Sequence, residues 1–231
     1  MNIVILTGAG ISAESGIQTF RGNDGLWENH RVEQVATPEA YHANPNLVLS
    51  FYNARRHALL NTGIEPNAAH KAIARLQQSR HNVTLITQNV DNLHERGGSP
   101  SVVHMHGELL KQVCTRCSDV TLIDCDQTLF DACACCSAVG TLRPDIVWFG
   151  EMPKYMDEIY TVLDRAELFV AIGTSGRVYP AAGFVEVANA AGAHTLEINL
   201  EASDVAPAFA EHRIGPASER VVEWVNELLS E

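Results

Sequence analysis

Asn2-Ile3-Val4-Ile5-Leu6-Thr7-Gly8-Ala9-Gly10-Ile11-Ser12-Ala13-Glu14-Ser15-Gly16 follows the first methionine and decides how the rest is read. Residues 2–6 form a short apolar run, rich in β-branched side chains and ended by small residues, the pattern of a buried strand. Gly8-x-Gly10-x-x-Ala13 then fits the G-x-G-x-x-G/A turn. Glycines at those positions allow a tight strand-to-helix corner and let backbone N–H groups approach a pyrophosphate at a helix N-terminus. A glycine-rich turn with no ligand would carry the same letters, so the motif does not stand alone. A dehydrogenase-type unit would continue with a helix, a second strand and an acidic residue roughly 20 positions on. Here residues 16–22 (GIQTFRG) read as a loop, and no second apolar strand appears before Val83. A dinucleotide bound at this corner would lie beneath that loop and be used in an unusual way.

Outward from this corner, residues 38–61 read as helical, broken at Asn44-Pro45, and residues 66–79 form an amphipathic helix opened by Pro66. Strands are predicted at 83–87, 102–105, 168–172 and 194–198, with the pattern resuming at Ile146-Val147-Trp148-Phe149-Gly150 after an interruption. Helices are predicted at 155–166, 180–191 and 217–229. Strands alternating with helices imply a parallel, doubly wound sheet, whose ligands sit beyond the carboxyl ends of its strands. Gly8–Ser12, Gln88–Asp91, His106, Gly173–Ser175 and Asn199–Glu201 all fall at such ends.

The 231 residues suffice for one α/β core and a small appended module. A strand beginning at residue 2 leaves no room for a leader, and no apolar run approaches the roughly 20 residues of a membrane span. The expectation is a soluble, cytoplasmic protein with no membrane partner. A formal net charge of −12 disfavours nucleic acid and suits lysine-rich partners.

All six cysteines lie between Cys114 and Cys136. Cys114-x-x-Cys117 and Cys133-x-x-Cys136 are 15 residues apart, the C-x₂-C-x₁₅-C-x₂-C spacing of a tetrahedral zinc site. Cys135 could replace Cys136, and Cys125 is a spare; a redox dithiol or metal-free core thiols are the other readings. Four sulfurs would close the shell and leave the zinc a purely structural role. Among ten histidines, most are expected to be solvated or packed. Strand alternation puts His104 and His106 on one face, and His106, at the strand's end before Gly107, is placed to act as a general base.

Taken in order, Gly8-Ala9-Gly10-Ile11-Ser12, Thr19-Phe20-Arg21, Gln88-Asn89-Val90-Asp91, His106-Gly107-Glu108, the paired cysteine turns, Phe149-Gly150-Glu151, Gly173-Thr174-Ser175 and Asn199-Leu200-Glu201 resemble the sirtuins. These are NAD-dependent protein-lysine deacylases, and the pattern looks closest to the bacterial class III, CobB-type branch. The resemblance implies that NAD is consumed as a co-substrate. The acyl-lysine carbonyl attacks C1′ of the nicotinamide ribose, nicotinamide leaves, and 2′-O-acyl-ADP-ribose is the second product. It makes His106 the base, with Asn89 and Asp91 the other catalytic positions around the nicotinamide ribose. It places the cofactor against Gly8-Ala9-Gly10-Ile11-Ser12-Ala13-Glu14, Phe20, Arg21, Trp27, Gln88-Asn89-Val90-Asp91, Gly173-Thr174-Ser175, Asn199-Leu200-Glu201 and Ala217. Phe20 would shield the reactive ribose from water. Val147-Trp148-Phe149-Gly150-Glu151 would pair with the substrate backbone as a strand.

Tyr52 and Arg55, at i and i+3, share a helix face, where a guanidinium beside a phenol can grip a carboxylate. A surface Arg with a core Tyr is the plain alternative. In the class III branch this pair reads the acyl carboxylate of succinyl- or malonyl-lysine, and a small residue matching Ala36 widens the pocket. Desuccinylation and demalonylation are therefore expected alongside deacetylation, on acyl-lysine proteins or peptides. The expected fold is α/β: a Rossmann-like doubly wound parallel sheet (1–34 with 62–110 and 143–231), a helical insertion (35–61) and a zinc-ribbon module (111–142). The rivals are a dehydrogenase on the same fold, which would make NADH, a mono-ADP-ribosyltransferase, and a zinc-ribbon scaffold without activity. Oligomeric state and protein targets stay open.

Overall fold

The computed structural model describes residues 1–18, 26–27, 30–61 and 63–230, with backbone alone at 26–27. β1 (Asn2–Thr7) is buried from Ile3 onward, and its apolar side chains serve both faces of a sheet. A central strand covered on both sides has this composition because parallel crossovers place helices over each face. β4 (Asn82–Thr87) lies parallel to β1 on one side, and β9 (Leu168–Ile172) on the other. The sheet is completed by β5 (Val103–His104), β10 (His194–Asn199) and β11 (Glu211–Ile214). Among the described residues the order is β11-β10-β9-β1-β4-β5, with every pairing parallel. The order reverses direction at β1, where the chain leaves for β4 on one side and later returns to β9 on the other.

One face packs on α5 (Ala68–Gln77) and α9 (Ala217–Ser230) through Ile3, Ile5, Ile73, Val170, Trp224 and Val225. The other packs on α7 (Met156–Leu163) and α8 (Phe184–Ala190) through Val4, Leu6, Phe169 and Phe184. The helix α5 opens at Asn67, whose side chain accepts from Ala69 N, so Pro66 lies just before the cap.

Between β1 and α5 run α1 (Gly10–Ala13), a hairpin of β2 (Leu26–Trp27) and β3 (His30–Arg31), and α2 (Val32–Val35), α3 (Pro38–Ala43) and α4 (Pro45–Asn61). The α3–α4 break falls at Asn44-Pro45, as the sequence predicts. Val35, Val48, Phe51, Tyr52 and Trp148 form a third apolar cluster beneath α4. The cysteine segment belongs to a second, antiparallel sheet: β6 (Gly107–Cys114) between β7 (Val120–Leu122) and β8 (Leu142–Ile146). The parallel pattern therefore does not resume at Ile146, which ends β8. It resumes at β9, after α7; α6 (Leu93–Arg96) lies earlier, between β4 and β5. No helix among the described residues is long and apolar enough to cross a membrane.

Candidate active site

The carboxyl ends of β1, β4, β9 and β10 open onto one cavity of about 1310 Å³. Gly8-Ala9-Gly10 reach it from β1, Gln88-Asn89-Val90-Asp91 from β4, Gly173-Thr174-Ser175 from β9 and Asn199-Leu200-Glu201 from β10. His106 enters from beyond β5, and Ala217 from the start of α9. Ala36, Arg55 and residues 147–151 supply the wall on the α4 side. The volume exceeds the roughly 300–1,000 Å³ of an ordinary small-molecule pocket and suits a dinucleotide with a second reactant beside it.

At the glycine corner, Gly8 N donates to Ile172 O and Gly10 N to Gly173 O. Gly173 holds φ +63°, and a Cβ on it would stand 2.5 Å from Ile11 N and 2.7 Å from Gly10 C. Such a contact forbids any side chain there. The N–H groups of Ile11 and Ser12 go to Gly8 O and Ala9 O, so four of the corner's donors (Gly8, Gly10, Ile11 and Ser12 N) are engaged within the fold, and the glycines contribute close approach. α1 is a single turn. Ile11 and Ser12, expected to touch cofactor, are buried beneath the cavity instead of lining it. Ser12 Oγ donates to Asp91 Oδ2 at 3.1 Å and accepts from Asn89 Nδ2 at 3.2 Å. Asn89 Nδ2 also donates to Gly8 O. These bonds fix the two polar side chains of β4's end from below. Burial raises the Asp91 carboxyl above its usual range, against the Leu93 N–H and Ser12 bonds. Ala13 and Glu14 line the cavity, and Glu14 also receives Ser218 at the start of α9.

His106 Nδ1 lies 3.1 Å from Gln88 O. A carbonyl only accepts, so Nδ1 carries the proton and Nε2 the lone pair. Burial lowers the ring's pKa below its ordinary value, with the Gln88 bond acting the other way. His104, the other half of the expected pair, ends β5 and does not line the cavity: its ring bridges Asn89 O and Glu95 Oε1. Burial opposes its charge, but Glu95 outweighs that and raises its pKa.

On the α4 side, Arg55 is 8% exposed and lines the cavity, its guanidinium 4.5 Å from the Phe51 ring centroid. Tyr52 is fully buried, and its hydroxyl accepts from Trp148 Nε1 at 3.0 Å. The shared helix face is as expected; Tyr52 stands behind the cavity wall, where burial raises its pKa. Val147 N, Trp148 N and Phe149 N donate to His106 O, Glu151 Oε2 and Ala36 O. These three donors are thus already engaged within the fold, as is Trp148 O, which accepts from Glu151 N. Phe20 and Arg21 lie outside the described residues, as does the side chain of Trp27.

The Sγ atoms of Cys114, Cys117, Cys133 and Cys136 lie within 4.8 Å of one another. Cys114–Cys136 is 3.7 Å and Cys117–Cys133 3.6 Å, close to the ~3.8 Å edge of a tetrahedron with ~2.3 Å zinc–sulfur bonds. The cluster thus selects Cys136 over Cys135 and fits a structural zinc. Sequence reasoning missed Arg177, Val178 and Tyr179, which line the cavity just past Gly173-Thr174-Ser175, although their place after a strand end was a usable signal. It also missed His70 and His94 beneath Ser12 and Thr7, which no linear spacing marks.

Comparison with known proteins identifies the family and the fold. Residues 8–180 match the Sir2 family. A protein of Vibrio vulnificus strain YJ016, named an NAD-dependent protein deacylase, is 57% identical over 230 residues, covering 99% of this chain and 94% of that one. A solved Sir2 homologue in complex with NAD superposes with a TM-score of 0.88 at 39% identity, over 98% of this chain and 88% of that one. A Sir2 structure with p53 peptide and NAD⁺ gives 0.80 at 28% identity, over 99% and 92%.

Proposed function

The chain belongs to the Sir2 family, and on that premise we propose that it is an NAD-dependent protein-lysine deacylase removing succinyl, malonyl and acetyl groups. The observation that carries the chemistry is His106, a half-buried imidazole pinned through Nδ1 to Gln88 O at the edge of a cavity of dinucleotide size. Bound NAD supplies a ribose C1′ whose bond to nicotinamide is broken.

The chain's own residues do the rest. Asn89 and Asp91, immobilised by Ser12 and Leu93 N, line the cavity beside the expected nicotinamide ribose. His106, neutral with Nε2 unprotonated, takes the proton of the attacking ribose hydroxyl. Residues 147–151 meet the substrate backbone, which favours tolerance of sequence around the modified lysine. Arg55, at the α4 wall beside Ala36, meets a carboxylate at the end of the acyl chain. Tyr52 supports that wall through Trp148. The four cysteines would hold a zinc that clasps the end of β6 and the turn after it to the turn at Cys133–Cys136, and that does no chemistry.

The test is a side-by-side assay on acetyl-, succinyl- and malonyl-lysine peptides with and without NAD. Nicotinamide release matched by lysine deacylation is expected with all three. Formation of NADH, or ADP-ribose added to the acceptor, would overturn the reading.

A further inference from the structure

Arg143 lies on β8, in none of the motifs that suggested the site, and does not line the cavity. Its guanidinium is nevertheless committed to the cavity wall. Nη1 donates to Glu151 Oε1 at 2.6 Å, and Nη2 to Glu151 Oε2 at 2.9 Å and Ile146 O at 2.6 Å. The same group lies 3.6 Å from the centroid of the Trp148 ring. Glu151 Oε2 accepts from Trp148 N at 2.8 Å, which closes a ring through Arg143, Ile146, Trp148 and Glu151. Burial opposes the charge on Glu151, but Arg143 and the Trp148 N–H outweigh it and lower its pKa. Glu151, expected to touch substrate, therefore spends both oxygens on holding its own loop.

The outer side of the same loop is attached to His106 and to the α4-side wall. Val147 N binds His106 O, Phe149 N binds Ala36 O, and Trp148 Nε1 binds the Tyr52 hydroxyl. A second bidentate pair, Lys154 Nζ to Asp145 at 2.6 and 2.7 Å, ties the chain beyond the loop to β8 again. Only a planar fork can chelate a carboxylate, reach a carbonyl and stack on an indole at once; an ammonium cannot.

We propose that Arg143 is a positioning residue for the acyl-lysine half of the reaction, fixing residues 146–151 and the Trp148 ring in the shape the peptide meets. This rests on the reading of residues 147–151 as the peptide edge. It separates two duties: Gly8, Gly173 and Asn199 shape the nucleotide end without Arg143, and the acyl-peptide end depends on it.

The experiment compares wild type, Arg143→Met and Arg143→Lys in two measurements. Initial rates are taken with acyl-peptide and NAD varied independently, and hydrogen exchange is followed at the amides of residues 147–149 and of β1 and β9. In both variants the peptide KM is expected to rise about tenfold with NAD KM changed less than about twofold. Exchange at 147–149 should quicken while β1 and β9 stay protected, and lysine should not restore the wild-type values. An unchanged peptide KM, equal rises for both substrates, full rescue by lysine, or exchange that quickens everywhere would each overturn the proposal. Failure of the functional reading looks different: wild-type protein itself would release no nicotinamide with acyl-peptides.

Discussion

His106 and Gln88 are joined by a 3.1 Å contact between imidazole Nδ1 and a backbone carbonyl, which leaves Nε2 as the basic nitrogen. Because burial depresses the His106 pKa, the ring stays neutral to lower pH than a free histidine of about 6.5. The rate on an acyl-lysine peptide is thus expected to hold from neutrality down past that value, then fall as Nε2 protonates. A pH–rate profile with its acid limb above 6.5 would count against this role. His106→Ala is expected to lower turnover by about 10²–10⁴-fold with the fold intact by circular dichroism.

Arg55→Met should cut succinyl-peptide turnover far more than acetyl-peptide turnover, because on the proposed reading only the succinyl substrate would bring a carboxylate to the guanidinium. The loss of a charged hydrogen-bonded pair is about 2–5 kcal/mol, or roughly 30- to several-thousand-fold in kcat/KM. Competing rates from one mixture of both peptides measure this directly; equal losses would defeat the assignment.

Two histidines beneath the site should make the protein sensitive to acid. Burial lowers the His70 pKa to about 4, with Glu95 opposing. Burial also lowers that of His94, and the charges of His70 and His104 act in the same direction. Both rings take up protons in the unfolded chain near pH 6.5 but resist doing so when folded. Their contribution to stability is therefore complete above about 6.5 and drains away as pH falls toward the folded values. Melting temperature should drop steadily between about pH 6.5 and 4. His94→Gln should make that drop shallower.

The zinc cluster separates Cys136 from Cys135 and Cys125 by consequence. Cys136→Ser should release metal, whereas Cys135→Ser and Cys125→Ser should retain one zinc per chain, since neither belongs to the cluster. Metal analysis of the purified variants decides it. Removing the ion from wild type should loosen β8, because Thr141 bonds the Cys114 sulfur and Leu142 packs on Cys114 and Cys133 two and one residues before Arg143.

Much of this could be read from the chain because its strands are apolar and end in small or polar residues. β1, β4, β9 and β10 each announced both their course and the group they deliver. β11 could not be read so: Glu211-His212-Arg213-Ile214 is a polar edge strand, made a strand only by pairing with β10. β8 was misplaced because its partner β6 precedes it by a whole cysteine segment, so a local pattern could not tell antiparallel from parallel. Periodicity put Tyr52 and Arg55 on one face, but that Tyr52 turns its hydroxyl to Trp148 depends on a loop 96 residues away. The links of Ser12 to Asp91 and Asn89 likewise span distances that no motif encodes.

The joint where Gly10 meets Gly173 is built from main chain alone. It has no side chain to trim or enlarge, so it cannot be adjusted by degrees: a single substitution at either position collides with the backbone of the facing segment. Arg55 and Ala36 sit elsewhere, α4 resting on α2, α3, β6 and β8. On the proposed reading, substitutions around Arg55 and Ala36 would alter which acyl group is accepted, while the backbone joint at Gly10 and Gly173 tolerates no change. The two ends of the cavity thus differ in how freely they can be altered.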